Sequence, residues 1–290
     1  MCGFAAMIRF DGGPIEPAVL RRMASSIAHR GPDDSGEYIA ESVGFAFRRL
    51  SILDLSPAGH QPMTTRDGKY TIVFNGEIYN FHELRRELEE SGHTFLSTGD
   101  TEVLLHAYRQ WGSDCLTRLN GMWAFLIHDR VRGVVFGARD RFGIKPLFLW
   151  RDGQRLLAAS ELKAIRASQQ YVSTINWAVA ADFLLEGRLD VGTETFFDGI
   201  ERVPAAHAFE LSRDGRYRQW RYWQFPGELP TPGSDPALDF AELFEDAVRI
   251  HMRSDVPVGV HLSGGLDSTS IICAAARLRR AEGNSQPLRA

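Results

Sequence analysis

Met1-Cys2-Gly3-Phe4 opens the chain, and the reading of Cys2 decides the fold. Methionine is normally removed before a small residue, which leaves Cys2 as the N-terminus. Such a cysteine carries its own base, because an α-amino group titrates at about 7.7–8.0 and a thiol at about 8.5. Near neutral pH the amine can take the thiol proton, directly or through a water, and the sulfur becomes a nucleophile. Two residues are a weak signal, and a cysteine in second position also arises by chance. A cysteine attacking a carboxamide needs donors for the oxyanion, and an amino-acid substrate needs charge partners.

The chain offers both at the ends of strand patterns. Tyr70, Ile72 and Phe74 alternate with Thr71 and Val73 and run into Asn75-Gly76-Glu77. Asn75 can offer a side-chain N–H, and Gly76 an unobstructed backbone N–H with room for close approach. The Asn-Gly pair is equally a hairpin-turn signal. Arg49 ends the alternation Val43, Phe45, Phe47 and suits an α-carboxylate, or it is a surface arginine. Asp100, in Thr98-Gly99-Asp100-Thr101-Glu102, suits an α-ammonium or caps a helix. One carboxylate has acceptor sites enough for both.

Further strands are expected over residues 122–127, 134–137, 147–151, 154–159, 209–212 and 217–220. Asp152-Gly153 and Asp214-Gly215 are the hairpin turns. The runs 122–127 and 134–137 are continuously apolar, as in strands covered on both faces. Leu20, Met23, Ala24 and Ile27 share a helical face. Asn80 and Glu83 predict a capping box ahead of Phe81, Leu84 and Leu88, with Gly92 ending the helix. A third helix carries Leu104, Ala107, Tyr108 and Trp111, with Gly112 as its C-cap. Many strands with few helices predict an α+β arrangement of stacked sheets covered by helices. Residues 225–236, with four prolines and two glycines, read as a linker.

Composition narrows the function. Of 290 residues, 44% are hydrophobic and 24% charged, with a net charge of −4, an ordinary globular balance. The arginines are interleaved with acids, which argues against nucleic acid as a partner. The longest apolar run, residues 122–127, is too short to span a bilayer. No basic region followed by an apolar core opens the chain, so no secretory signal is expected. The three cysteines, Cys2, Cys115 and Cys273, make neither a disulfide framework nor a zinc knuckle, and a cytoplasmic location is expected.

An ordered set of motifs resembles glutamine-dependent asparagine synthetase. The set comprises Met1-Cys2-Gly3-Phe4, His29-Arg30-Gly31-Pro32-Asp33, Arg49-Leu50-Ser51-Ile52 and Asn75-Gly76-Glu77-Ile78-Tyr79-Asn80. It continues with Gly99-Asp100-Thr101-Glu102, Leu119-Asn120-Gly121-Met122, the run Arg139-Asp140-Arg141-Phe142-Gly143-Ile144-Lys145-Pro146-Leu147, and Ser160-Glu161-Leu162-Lys163. The resemblance implies a type-2 glutaminase domain over residues 2–215, a four-layer αββα sandwich of the N-terminal nucleophile hydrolases. It places the nucleophile on Cys2 and the oxyanion hole on Asn75 and Gly76. Glutamine binding falls on Arg49, Glu77 and Asp100, with backbone contributions at Leu50 and Ile52.

A linker over 216–236 and the start of a second domain over 237–290 are expected to follow. There a helix over about 237–254 and a strand over 258–262 lead into Ser263-Gly264-Gly265-Leu266-Asp267-Ser268, ahead of another helix. Glycines let backbone N–H groups converge on phosphate at a helix N-terminus. Ser263 and Ser268 add hydroxyls, and Asp267 suits Mg²⁺. The string lacks Gly-Lys-Ser/Thr, so it is not a Walker A loop; by itself it also suits a generic turn. It resembles the pyrophosphate loop of ATP pyrophosphatases, and Leu262 matches a position lining the family's ATP site. The resemblance implies that ATP and Mg²⁺ adenylate aspartate, and that ammonia from glutamine forms asparagine.

One strand and two helices are too little for an open parallel sheet. Residues 237–290 therefore read as an incomplete ATP-pyrophosphatase domain, and the expected assembly is a homodimer or a complex with a complementing chain. Three functions are carried forward: asparagine synthetase; a related amidotransferase acting on another carboxylate, such as a uronate or a peptide side chain; and a non-catalytic glutamine-binding module.

Overall fold

Five consecutive residues in β1 (Gly3–Arg9) alternate between two interiors. Phe4, Ala6 and Ile8 face one buried cluster, and Ala5 and Met7 face another. A strand buried on both faces reads as an unbroken apolar run, and β1 is central in its sheet. The computed structural model describes residues 2–227, 235–281, 283 and 288.

In chain order α1 (Pro17–Ser26), β2 (Asp34–Ala40), β3 (Val43–Arg49), β4 (Met63–Thr64) and β5 (Tyr70–Ile78) follow β1. Next come α2 (Phe81–Glu90), α3 (Asp100–Trp111), α4 (Cys115–Arg118), β6 (Gly121–Asp129), β7 (Val134–Arg139), β8 (Phe148–Arg151) and β9 (Arg155–Ala159). Then α5 (Leu162–Ala167), α6 (Trp177–Glu186), β10 (Ile200–Arg202), β11 (His207–Ser212) and β12 (Tyr217–Arg221) complete the first unit. One sheet has the order β10-β8-β9-β1-β3-β2 and the other β12-β11-β7-β6-β5-β4. Every ladder is antiparallel, and the register includes Phe4↔Phe47 and Asn75↔Ala124.

Three buried clusters give the layers. Phe4, Phe45 and Phe47 meet Val73, Leu126, Val135 and Phe209 between the sheets. Leu20 and Met23 of α1 and Ile27 just after it, with Ile165 of α5, cover the outer face of the first sheet. Leu84 and Leu88 of α2, Val103, Leu104 and Tyr108 of α3 and Leu116 of α4 cover Ile72, Phe125 and Phe136 of the second. The result is the expected αββα sandwich.

Two local expectations change. Asn80 precedes α2, but its side chain makes no cap bond. It bridges to the α4 end instead: Nδ2 donates to the Arg118 carbonyl at 2.9 Å and Oδ1 accepts from Asn120 N–H at 2.8 Å. A boundary at residue 215 would cut the β11–β12 hairpin, whose register runs His207↔Arg221 to Leu211↔Tyr217. Tyr222 also donates from its hydroxyl to the Arg139 carbonyl at 2.8 Å. The first compact unit therefore extends to Gln224.

The second unit begins at Phe225. Of the linker, residues 228–234 lie outside the described residues, as does most of the tail 283–290. Asp235 caps α7 (Pro236–His251) by accepting from the Ala237 and Leu238 N–H groups. α7 packs on α8 (Leu266–Ala281) through Val248, Ala274 and Ala275, while Leu238, Phe240 and Leu243 stay exposed. The strand expected over 258–262 does not form; Gly259 alone is bridged. A strand needs a neighbour to take up its backbone hydrogen bonds, and no strand accompanies this segment among the described residues.

Candidate active site

The sandwich brings the ends of three strands to one point. Cys2 precedes β1, Arg49 ends the adjacent β3, and Asn75, Gly76 and Glu77 lie near the end of β5 in the other sheet. The N-terminus of α3 closes the site with Asp100. One cleft is lined by Cys2, Arg49, Leu50, Ile52, Gly76, Glu77 and Asp100, and Asn75 is buried beside it. Its enclosed room is about 30 Å³, roughly the share of a single water.

Leu50 holds the Cys2 sulfur. Its N–H donates to Cys2 Sγ at 3.3 Å, and its carbonyl faces Sγ at 3.4 Å. Burial pushes the Cys2 thiol up, the Leu50 backbone contact draws it down, and the Glu77 and Asp100 carboxylates add to the rise. A buried thiol of raised pKa needs a local base to react.

Asn75 is 1% exposed, and its Nδ2 has no hydrogen-bond partner. A buried unpaired N–H costs about 1–3 kcal/mol, a cost that a developing oxyanion would offset. Gly76 is required for a further reason. A Cβ there would lie 2.3 Å from the Met122 carbonyl oxygen of β6, so the residue is small to fit its own sheet.

Glu77 and Asp100 are both pushed up. For Glu77 the causes are burial and then Asp100, with Lys145 drawing it back. For Asp100 burial leads, and the Ile78 N–H, which donates to Oδ2 at 2.9 Å, opposes it. Asp100 does not cap α3. It occupies the first helical position after Gly99, and its carboxylate reaches across to β5.

Arg49 is buried and already engaged. Nη1 donates to the Ser56 carbonyl at 3.3 Å, Nη2 to the Leu53 carbonyl at 3.2 Å and also to that of Asp54. It thus organises the loop over residues 50–59 as well as facing the cleft.

Several residues support the site in ways the sequence does not signal. Arg30 Nε donates to the Cys2 carbonyl at 2.8 Å, and Nη1 donates to Glu161 Oε1 at 3.0 Å. Ser160 exchanges two bonds with Phe4, both 3.0 Å. The conspicuous strings around Arg30 and Ser160 therefore anchor the N-terminal strand. Asp54 accepts from Thr98 N–H at 2.7 Å and Gln61 Oε1 from Phe74 N–H at 2.7 Å, joining the loop to the α3 and β5 sides. Asp54-Leu55-Ser56 is a readable turn signal; nothing in the sequence ties it to Thr98.

The glycine-rich loop sits in the second unit at the start of α8. Gly264 has φ +82°, Ser263 and Ser268 hydroxyls are 3.1 Å apart, and Leu262 and Leu266 are exposed. Hydroxyls and backbone N–H groups at a sixteen-residue helix's N-terminus form a donor set that fits a phosphate anion. Asp267 alone is not a metal site, and no group of three or more metal-ligating side chains occurs among the described residues.

Residues 1–223 match the model of the glutamine amidotransferase domain. The chain belongs to the glutamine amidotransferase family. Residues 239–290 match the asparagine synthase model. The chain is 39% identical over 289 residues to asparagine synthetase (glutamine-hydrolyzing) 3 of Bacillus subtilis, covering 98% of this chain and 47% of that protein. It is 37% identical to asparagine synthetase (glutamine-hydrolyzing) 1 of the same organism (95% and 44%), and 33% identical to Amidase chry2 of Gibberella zeae (93% and 42%). The chain thus spans about half the length of these relatives. Glutamine phosphoribosylpyrophosphate amidotransferase from B. subtilis shares the fold at TM-score 0.57 and 18% identity, over 97% of this chain and 64% of that one. No helix among the described residues is long and apolar enough to cross a membrane.

Proposed function

We propose that this amidotransferase chain hydrolyses glutamine at Cys2 and supplies the ammonia for asparagine synthesis. The observation that carries the first half is the convergence of Cys2 and the Glu77–Asp100 pair in one cleft, with the buried unpaired Asn75 amide next to its Gly76 wall. After removal of Met1 the Cys2 amine takes the thiol proton. The sulfur attacks the side-chain carbonyl carbon, and Asn75 Nδ2 and the Gly76 N–H receive the oxyanion. The C–N bond breaks, ammonia leaves with the proton returned by the amine, and water then hydrolyses the thioester to glutamate. Arg49 takes the α-carboxylate by exchanging loop carbonyls for it, so residues 50–59 yield as substrate enters the small cleft. Glu77 and Asp100 take the α-ammonium.

For the second half, Ser263, Gly264, Gly265 and Ser268 would hold the ATP phosphates beside Leu262. Asp267 would share Mg²⁺ with them, since one carboxylate is too few alone. ATP supplies adenylation of the acceptor carboxylate when bound. The synthetase relatives favour aspartate as acceptor; the amidase relative favours a second reading, amide transfer to or from another substrate.

The test is ammonia release from glutamine by the purified chain, with Met1 removal verified by mass spectrometry and Cys2→Ala as control. Cysteine-dependent release is expected. Glutamine binding without release from processed protein would leave only a binding module.

A further inference from the structure

Ser97 stands in the wall of the Cys2 cleft, outside every motif that marks the site in the sequence. It is 3% exposed, and its hydroxyl has no hydrogen-bond partner. Its two backbone groups are committed. The Ser97 N–H donates to Glu102 Oε2 of α3 at 2.7 Å, and the Ser97 carbonyl accepts from Arg85 Nη2 of α2 at 2.8 Å. The hydroxyl is therefore the one polar group of this residue left unspent, and side chains from two helices hold the backbone that carries it. Buried hydroxyls are normally paired, because leaving water without a partner is costly. Neighbouring polar side chains of the same wall are spent within the protein. Gln61 Nε2 donates to the Phe74 carbonyl at 3.3 Å and to Thr101 Oγ1 at 3.2 Å. Asp54 accepts from the Ser56 N–H at 3.1 Å and from the Thr98 N–H at 2.7 Å.

We propose that Ser97 is a further glutamine-binding residue, whose hydroxyl donates to the α-carboxylate of the substrate beside Arg49. The proposal rests on the glutaminase reading. A carboxylate only accepts hydrogen bonds, and its two oxygens take more than one donor. Arg49 must release the Ser56, Leu53 and Asp54 carbonyls to serve it. The Ser97 hydroxyl has nothing to release, so its bond to a charged group is gained without an internal bond being lost. The segment that carries Ser97 is packed on the loop that Arg49 organises. The Thr98 N–H meets the Asp54 carboxylate, the Asp54 carbonyl accepts from Arg49 Nη2, and a Cβ at Gly99 would lie 3.4 Å from Asp54 Cβ. Ser97 thus belongs to the Arg49 side of the cleft, while Glu77 and Asp100 are the anions left for the α-ammonium. The glutamine end of the cleft is then read by a hydroxyl whose place is fixed before substrate arrives.

The experiment uses the full chain carrying Cys2→Ala, which removes turnover, and measures glutamine affinity calorimetrically together with the melting temperature of the ligand-free protein. Ser97→Ala is expected to weaken glutamine binding about tenfold, as loss of a hydrogen bond to a charged group does. The ligand-free melting temperature is expected to stay equal or rise, because the hydroxyl removed had no partner in the protein. A hydroxyl with a merely structural role gives the opposite pair of results, and a lowered melting temperature or failure of Ser97→Ala to fold overturns the proposal. The group served is read with glutaramic acid, which is glutamine without its α-amino group. Ser97→Ala is expected to weaken glutaramic acid by the same factor as glutamine. Glutaramic acid bound equally by the parent and the variant, with glutamine weakened, would put the hydroxyl on the ammonium and overturn the assignment. If the parent chain and Ser97→Ala bind glutamine with equal affinity, the proposal is overturned and the glutaminase reading stands. No glutamine binding with Ser97 intact overturns both.

Discussion

Asn75 gives its backbone to the sheet and keeps a side-chain N–H buried without a partner. Its removal tests whether that donor serves the transition state. Asn75→Ala is expected to lower kcat for glutamine hydrolysis by about 10²–10³ with KM little changed, and stability should move by under about 1 kcal/mol because an unpaired group is lost. A large fall in melting temperature with kcat preserved would make Asn75 structural. Glu77 and Asp100 give the pH behaviour. Both are raised by burial, so their neutral forms persist above the ordinary carboxylate range. In the proposed reaction glutamine's ammonium needs them ionised, and kcat/KM is expected to rise with pH through the raised values. Stability runs the other way. A carboxyl raised in the fold stabilises below its unfolded pKa, and that contribution is lost as pH climbs through the folded value. Asp100→Asn should therefore raise KM while leaving the melting temperature at neutral pH equal or higher, checked by steady-state kinetics and thermal melts. The amide in that variant keeps an acceptor for the Ile78 N–H.

At the scale of elements, the site depends on close approaches that leave no room for a side chain at two glycines. A Cβ at Gly31 would lie 2.2 Å from the Arg48 carbonyl carbon of β3, and one at Gly3 would lie 2.8 Å from Arg30 Cδ. Gly31→Ala is expected to cost about 1–3 kcal/mol, as overpacking does, and to lower kcat by shifting the Arg30–Cys2 contact. A melt and a rate measured on the same preparation separate the two effects; unchanged values for both would mean that the strands separate freely. The strands themselves are legible, since alternation and apolar runs mark β3, β5, β6 and β7 in the sequence. Asn80 shows the limit of that reading. An Asn three residues before a Glu carries the same local pattern whether it caps its own helix or, as here, ties α2 to the loop after α4. Local pattern is silent on a partner some forty residues away.

At the scale of the molecule, the first unit ends where its sheet ends. A chain stopped after Gln224 is expected to melt in one transition and to keep cysteine-dependent glutaminase activity. A chain stopped after Gly215 removes β12 and the Tyr222 contact, exposes the edge of β11 and should aggregate or melt lower. Equal melting temperatures for the two would place the boundary nearer 215. Residues and order alone determined the sandwich and singled out the candidates for nucleophile, oxyanion pair and substrate charges, because chemistry that needs a particular side chain at a particular strand end leaves that side chain in the sequence. Only the tertiary structure decided what holds them. Arg30 grips Cys2, Leu50 cradles its sulfur, and Asp54 and Gln61 join the loop to α3 and β5. Each of those contacts joins residues distant in the chain, and their distances are set by how the two sheets pack, which no local periodicity records.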